Sequence, residues 1–332
     1  MSGAGSTRSV VDAVIEVPVV TSFTRLGYDV RSRLAHWRQL NSYDLGGRVV
    51  LVTGATSGLG LVTAEQLAAC GATVVLLGRD ADKTSRVCAE IATRTGNARL
   101  STVVADMGDL EGVRRVAGEI ADLHGRLDVL IHNAGALSAT RQVSPQGTEL
   151  TVASQVVGPF LLTALLLPLL RESAPARVLT MSSGGMYASP LRVTDLQMGD
   201  EYKGSEQYAR AKRAQVTLNE MWAARVPAGK VVFHAMHPGW ADTPGVRESL
   251  PTFRKLVGPL LRSPQQGADT MVWLAADDGE PMATSGGFWL DRHRRSIHKL
   301  PNTRSSDTAE RRQQLWEWVS AAAGLAGAPL PQ

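Results

Sequence analysis

Cysteine is nearly absent: the 332 residues include only Cys70 and Cys88. Two thiols cannot form a disulfide framework, and these lack metal-ligand spacing, so neither a stapled secreted scaffold nor a zinc centre is expected. A reducing compartment, the cytoplasm, suits them. No aromatic-interleaved basic groove or reader module for nucleic acid is evident in a chain with 5% aromatic residues, so no nucleic-acid partner is expected. Long apolar runs are missing as well. The greasiest segment, Phe160 to Leu170, is far shorter than the ~20 residues that cross a bilayer and reads as a core helix. Asp12 and Glu16 interrupt the only early apolar stretch, Val10 to Val20, so no signal peptide is expected.

What is present is the balance of a soluble α/β protein: 44% hydrophobic and 20% charged residues with 32 glycines, enough for one large core. The net charge of +4 is local, coming partly from Arg25, Arg31, Arg33 and Arg38 and from Arg292, Arg294, Arg295 and Lys299, which read as solvated surface. Residues 1–46 form an N-terminal extension without the rhythm that follows, and fraying is expected in its Ser/Gly/Ala-rich first part. Leu26, Val30, Leu34, Trp37 and Leu40 recur at three- or four-residue spacing, an amphipathic helix expected to pack on the main domain. Peripheral membrane contact through this helix and the basic stretch at 292–299 is the alternative. Residues 291–332 form a C-terminal extension, with a helix from about 308 to 323 whose Trp316 and Trp318 dock it on the body or on a second subunit.

Residues 47–290 alternate strands and helices with short links, the pattern of a single Rossmann-type α/β domain with a doubly wound parallel sheet. About seven strands are expected, near 48–53, 73–77, 100–104, 127–132, 177–182, 230–236 and 287–290. Helices are expected near 59–70, 80–95, 109–123, 146–172, 206–226 and 265–276. Two stretches, 184–204 and 242–263, break the rhythm after strands, where ligand loops sit.

The β-branched run Val49 to Val52 meets Gly54, Gly58 and Gly60 and then a helix. Glycines let a phosphate approach the backbone and the helix N-terminus favours its charge, so a pyrophosphate is the natural guest. Tyr208 and Lys212 are spaced to share one helix face, about a turn apart. An ammonium beside a phenol lowers its pKa towards the range useful for acid–base chemistry. Ser182 and Ser183 end a strand upstream, where a hydroxyl can hydrogen-bond a carbonyl oxygen as charge develops on it.

Taken in order, the loop Thr53 to Gly60, Asp106 with Met107, Asn133-Ala134-Gly135, Ser183, Tyr208 with Lys212, and Pro238-Gly239 through Thr243 resemble the short-chain dehydrogenase/reductase family over about residues 47–290. The resemblance implies that Gly54, Ser57, Gly58, Leu59 and Gly60 cradle a dinucleotide, that Asp106 and Met107 meet its adenine, and that Asn133, Ala134 and Gly135 line it. Pro238, Gly239 and Thr243 would hold the nicotinamide end. Tyr208 would exchange a proton with the substrate oxygen, Ser183 would orient that oxygen, and Lys212 would bind the nicotinamide ribose. The segments 236–247 and 266–271 narrow the likeness to a subgroup with an N-terminal extension like this one. Dimers or tetramers are usual in the family through two long helices, here near 146–172 and 206–226.

Cofactor choice turns on the second strand's end, where Gly78 offers no carboxylate to a ribose 2′-hydroxyl and Arg79 can clamp a 2′-phosphate, so NADP(H) is expected over NAD(H). Gln155 stands where the family has an asparagine that helps hold a relay water, and His132 stands where an asparagine is common. The expected activity is hydride transfer between nicotinamide and a carbonyl/alcohol pair. Met186 and Trp240 near the presumed pocket suggest an apolar substrate such as a lipid, steroid or retinoid. A catalytically idle NADP(H) sensor or partner platform is the rival reading.

Overall fold

The β-branched runs are buried on both faces, as a parallel sheet covered by helices requires. The computed structural model describes residues 12, 16, 19–249 and 251–327; the fraying expected at the start of the chain and most of the early apolar stretch lie outside them. After helices α1 (Val19–Phe23) and α2 (Arg25–Leu34) come strand β1 (Val49–Thr53), α3 (Gly58–Ala69), β2 (Thr73–Gly78), α4 (Ala81–Thr95), β3 (Leu100–Val104), α5 (Leu110–Leu123) and β4 (Val129–His132). Helix α6 (Gly158–Glu172), β5 (Ala176–Met181), α7 (Gly204–Arg225), β6 (Val231–Met236), α8 (Pro264–Ala276), β7 (Gly287–Leu290), β8 (His293–Arg294) and α9 (Ala309–Ala322) follow. The sheet order is β3-β2-β1-β4-β5-β6-β7-β8, parallel up to β7. The chain reverses direction across the sheet between β1 and β4, so the carboxyl ends of these neighbours open the crevice where such folds bind ligands.

The eighth strand is additional to the expected seven. Leu290 pairs with His293 across a two-residue loop, and both loop residues, Asp291 and Arg292, are left-handed with φ of 54° and 55°. Such a turn normally announces itself by Asn-Gly or Asp-Gly. Here buried ion pairs hold it instead: Asp291 with Arg31 and Arg262, and Arg292 with Asp269.

The helix expected from 146 begins at Leu150, where the Glu149 carboxylate caps the N–H groups of Thr151 and Val152. A wider π-type turn, Ala153–Val157, joins it to α6. The run 150–172 has 23 residues, and its most apolar 18-residue window has a mean hydropathy of 1.9, long and apolar enough to cross a membrane, yet it is mostly buried inside the fold. Its apolarity therefore serves the core.

Helix α9 packs on α6 and α7, with Trp316 edge-on to both Phe160 and Trp222, Arg225 over its ring and Arg312 paired with Glu220. The C-terminal helix thus covers part of both long helices. Helix α2 docks opposite to expectation. Its buried residues are Gly27 and Arg31, while Leu26, Val30 and Leu34 are 51%, 37% and 41% exposed. The reason is charge: Arg31 reaches inward to Asp12, Glu16 and Asp291, and burying those partners outweighs burying the leucines. Several cations read as solvated are likewise ion-paired, Arg295 with Asp12 and Lys299 with Glu16.

Candidate active site

Gly54 is left-handed, and a Cβ there would come within 2.8 Å of Ala134 Cα; the β1 and β4 loops touch at the crevice. Asn133 braces the glycine loop, donating through Nδ2 to Thr53 O at 3.0 Å and to Gly54 O, while the Thr53 hydroxyl accepts from the Asn133 and Ala134 N–H groups. Asn133 thus holds the cradle's shape. Ser57 stands at the N-cap of α3, exposed and with no capping bond from its hydroxyl, and the helix N-terminus behind it favours an anion. Leu59 turns its side chain away from the crevice, against Gly267 of α8, so only its backbone is placed to meet a ligand. Thr243 lies across the loop in contact range of Gly58.

Asp106 is exposed and turns the chain by accepting from Gly108 N at 2.7 Å, while Met107 is buried. Asp80 caps α4 by accepting from Lys83 N. Arg79 is exposed and makes no hydrogen bond or ion pair among the described residues. A Cβ at Gly78 would collide with the Thr84 hydroxyl, so a side chain at this position would displace the Thr84 side chain.

Just past the carboxyl end of β5, Ser183 lies beside the half-buried Tyr208 phenol, close enough to favour its ionised form, and the Ser183 hydroxyl accepts from Gly185 N at 3.2 Å. Ser182 is buried and donates to Lys212 O. Lys212 is buried, with Nζ donating to Met181 O at 2.9 Å and standing 5.3 Å from the Tyr208 ring centre. The sequence expectation of a lysine-lowered phenol is reversed here. Burial pushes Tyr208 up to about 12, with Ser183 opposing, and burial pushes Lys212 down to about 7. Desolvation penalises both charged forms, and it dominates.

This has a consequence for stability. The unfolded chain keeps Lys212 protonated to its ordinary value of 10.5, whereas the folded protein releases that proton near 7. Between these limits the unfolded state binds more protons, so stability rises with pH. We expect the ligand-free protein to gain thermal stability from pH 7 to 10 relative to Lys212→Met; parallel melting curves across that range would refute the buried lysine's part in it.

Gln155 lies on the π-type turn, fully buried, with Nε2 donating to Ala136 O at 2.7 Å and its own carbonyl accepting from Gln215 Nε2 at 2.6 Å. The longer amide is thus committed to the loop after Gly135, and Gln215 occupies the backbone carbonyl.

The substrate side differs most from expectation. Met186 is fully buried in a cluster with Phe23, Tyr187 and Phe288, so it supports the wall from behind, and Trp240 is half-buried at its edge. Arg213, next to Lys212, fixes this wall by donating to the carbonyls of Met186, Ser189 and Ile297. Phe23 of the N-terminal extension lies against Gly184, where a Cβ would meet its ring at 2.5 Å. Its ring is edge-on to His237 and Trp240, and its carbonyl accepts from Trp240 N and Arg262 Nε. Arg262 also reaches Pro238 O and packs on Gly239. Phe23, Arg213, Arg262 and Asp291 were missed by sequence reasoning, since each acts through a partner distant in the chain. The one available signal was an aromatic residue just before the α2 pattern.

The sheet order, the glycine loop at the reversal point and the serine–tyrosine–lysine cluster define a Rossmann-type nucleotide-binding protein. Comparison with known proteins makes this specific: the family profile for short chain dehydrogenase matches residues 48–252, and the chain belongs to that family of oxidoreductases. Human dehydrogenase/reductase SDR family member 12 is 40% identical over 268 residues, covering 80% of this chain and 84% of its own. Human retinol dehydrogenase 11 is 33% identical, covering 80% and 83%. Among solved structures, an uncharacterized protein from Mycobacterium paratuberculosis has a TM-score of 0.69 at 26% identity, covering 89% of this chain and 99% of its own. Pseudomonas aeruginosa RhlG, solved as an NADP active-site complex, has a TM-score of 0.62 at 25% identity, covering 74% and 94%.

Proposed function

We propose that this protein is an NADP(H)-dependent oxidoreductase acting on an apolar carbonyl/alcohol pair. The observation that carries the reading is Ser183 beside Tyr208, with buried Lys212 one helical turn on and 5.3 Å from the Tyr208 ring centre, next to a crevice whose glycine loop is braced by Asn133. When bound, the dinucleotide supplies or accepts the hydride. Ser183 holds the substrate oxygen, Tyr208 exchanges a proton with it, and Lys212 holds the nicotinamide ribose. With its pKa near 12, Tyr208 is protonated at neutral pH, so the free site is set to donate a proton, the requirement of carbonyl reduction. A coenzyme-linked absorbance screen over carbonyls and alcohols of graded size tests the reading; no turnover on any of them would favour the rival, an idle nucleotide sensor, to which the committed Gln155 amide lends support.

NADP(H) rather than NAD(H) is supported by the free Arg79 guanidinium and by the absence of a carboxylate at Gly78. We expect Arg79→Ala to weaken NADPH binding by about tenfold, the loss of one charge-assisted contact, and to leave NADH binding unchanged in fluorescence titrations. An apolar substrate is supported by half-buried Trp240, set on the buried aromatic cluster of Phe23 and Tyr187, and by a relative named for retinol.

We also propose a cytoplasmic location with peripheral contact to anionic membranes. The outward apolar stripe of α2 is flanked by exposed Arg25 and Arg33, which carry no ion pair among the described residues, an arrangement suited to a headgroup boundary. The stretch 292–299 lends less, because most of its cations are paired inward. The full chain is expected to cosediment with phosphatidylserine-containing vesicles, and Leu26→Glu with Leu34→Glu to abolish this. Equal pelleting of both proteins would remove the proposal.

A further inference from the structure

Behind the catalytic face, residues of β4, β5, β6, α6 and α7 surround a cavity of about 30 Å³. His132, Gln155, Gln215 and Asn219 line it, and none is more than 5% exposed. Each carries one polar atom with no hydrogen-bond partner among the described residues: His132 Nδ1, Gln155 Oε1, Gln215 Oε1 and Asn219 Nδ2. Their other polar atoms include committed ones, with His132 Nε2 on the Thr163 hydroxyl at 2.7 Å and the two glutamine amides engaged as described above. A buried polar group left unpaired costs about 1–3 kcal/mol, and native cores satisfy nearly all of them. Water is the small partner that fits. One molecule needs roughly 10–15 Å³ and two to four polar neighbours, and the residues that line this cavity carry an unpaired donor on Asn219, acceptors on both glutamines and an imidazole nitrogen.

We propose that this cavity is a built water site through which His132, Gln155, Gln215 and Asn219 act as one positioning unit. The proposal rests on the oxidoreductase reading and deepens it. Gln155 holds Ala136 O, immediately after the Asn133–Gly135 loop that floors the crevice, and Gln215 follows Lys212 by three residues on α7. Water shared by the two amides and Asn219 locks the catalytic helix to that floor. The two positions where the chain departs from its family's asparagines, His132 and Gln155, therefore meet at one cavity. Burial holds His132 neutral, near 3, so the site keeps its hydrogen-bonding pattern through the working pH range.

A high-resolution crystal structure of the full chain reads the water directly. We expect one or two ordered waters within hydrogen-bond distance of at least three of the four atoms; a dry or side-chain-filled cavity overturns the proposal. The second arm compares Gln155→Leu, Asn219→Leu and the pair, using a carbonyl found in the screen. Each single change is expected to lower kcat about ten- to a hundredfold by misplacing the helix, with the KM for NADPH unchanged. The double variant is expected to fall no further than the worse single, because the shared water is already lost. Multiplying losses, or losses confined to KM, refute the unit. If a leucine variant fails to fold, Asn219→Ser takes its place. Ordered waters in a protein that turns over nothing would refute the activity while leaving the water site standing.

Discussion

Replacing Tyr208 with phenylalanine is expected to lower kcat for carbonyl reduction by about 10²–10⁴-fold, the contribution of a positioned general acid, while NADPH still binds. The phenol's oxygen is the only part removed, and its partner Ser183 remains at the carboxyl end of β5. Ring packing and the Lys212 contact with Met181 O are untouched. Turnover measured under saturating NADPH, together with a fluorescence titration of the cofactor, separates chemistry from binding. Full turnover in the variant would show that another group supplies the proton.

Asp291→Asn is expected to destabilise the protein by about 3–5 kcal/mol, the cost of leaving buried Arg262 without its anion, while Arg31 keeps Asp12 and Glu16. Asp291 is 1% exposed and accepts from Arg262 at 2.5 and 2.9 Å and from Arg31 at 2.8 Å, and both arginines are buried. Asparagine tolerates the left-handed backbone at this position, so the change removes the charge and one acceptor while leaving the turn in place. The same carboxylate joins three distant parts of the chain: α2, the segment before α8, and the β7–β8 turn. Denaturant melts should show the loss, and limited proteolysis should cut after Arg25 or Arg33 earlier than in the wild type. An unchanged midpoint would mean that the remaining carbonyl acceptors suffice.

The strands from β1 to β7 were readable because strands of a covered parallel sheet are short, mostly apolar runs, and such runs end at glycines or polar turns. Strand β8 was not readable. It spans two residues, and its turn is held by ion pairs rather than by residues that prefer the left-handed region. The amphipathic period of α2 was legible too, but not which way it faces. Period gives a stripe of leucines; whether that stripe turns inward depends on what the opposite stripe meets, and Arg31 meets three carboxylates.

By itself the sequence determined the sheet, the glycine loop at its reversal point and the four-residue interval between Tyr208 and Lys212, since each is written in local spacing and backbone freedom. Tertiary structure alone decided that Met186 lies buried in the aromatic cluster, that Phe23 from the far end of the chain joins it, and that burial raises the phenol's pKa and lowers the amine's. Those outcomes depend on distance from solvent and on neighbours hundreds of residues away, which no local pattern encodes.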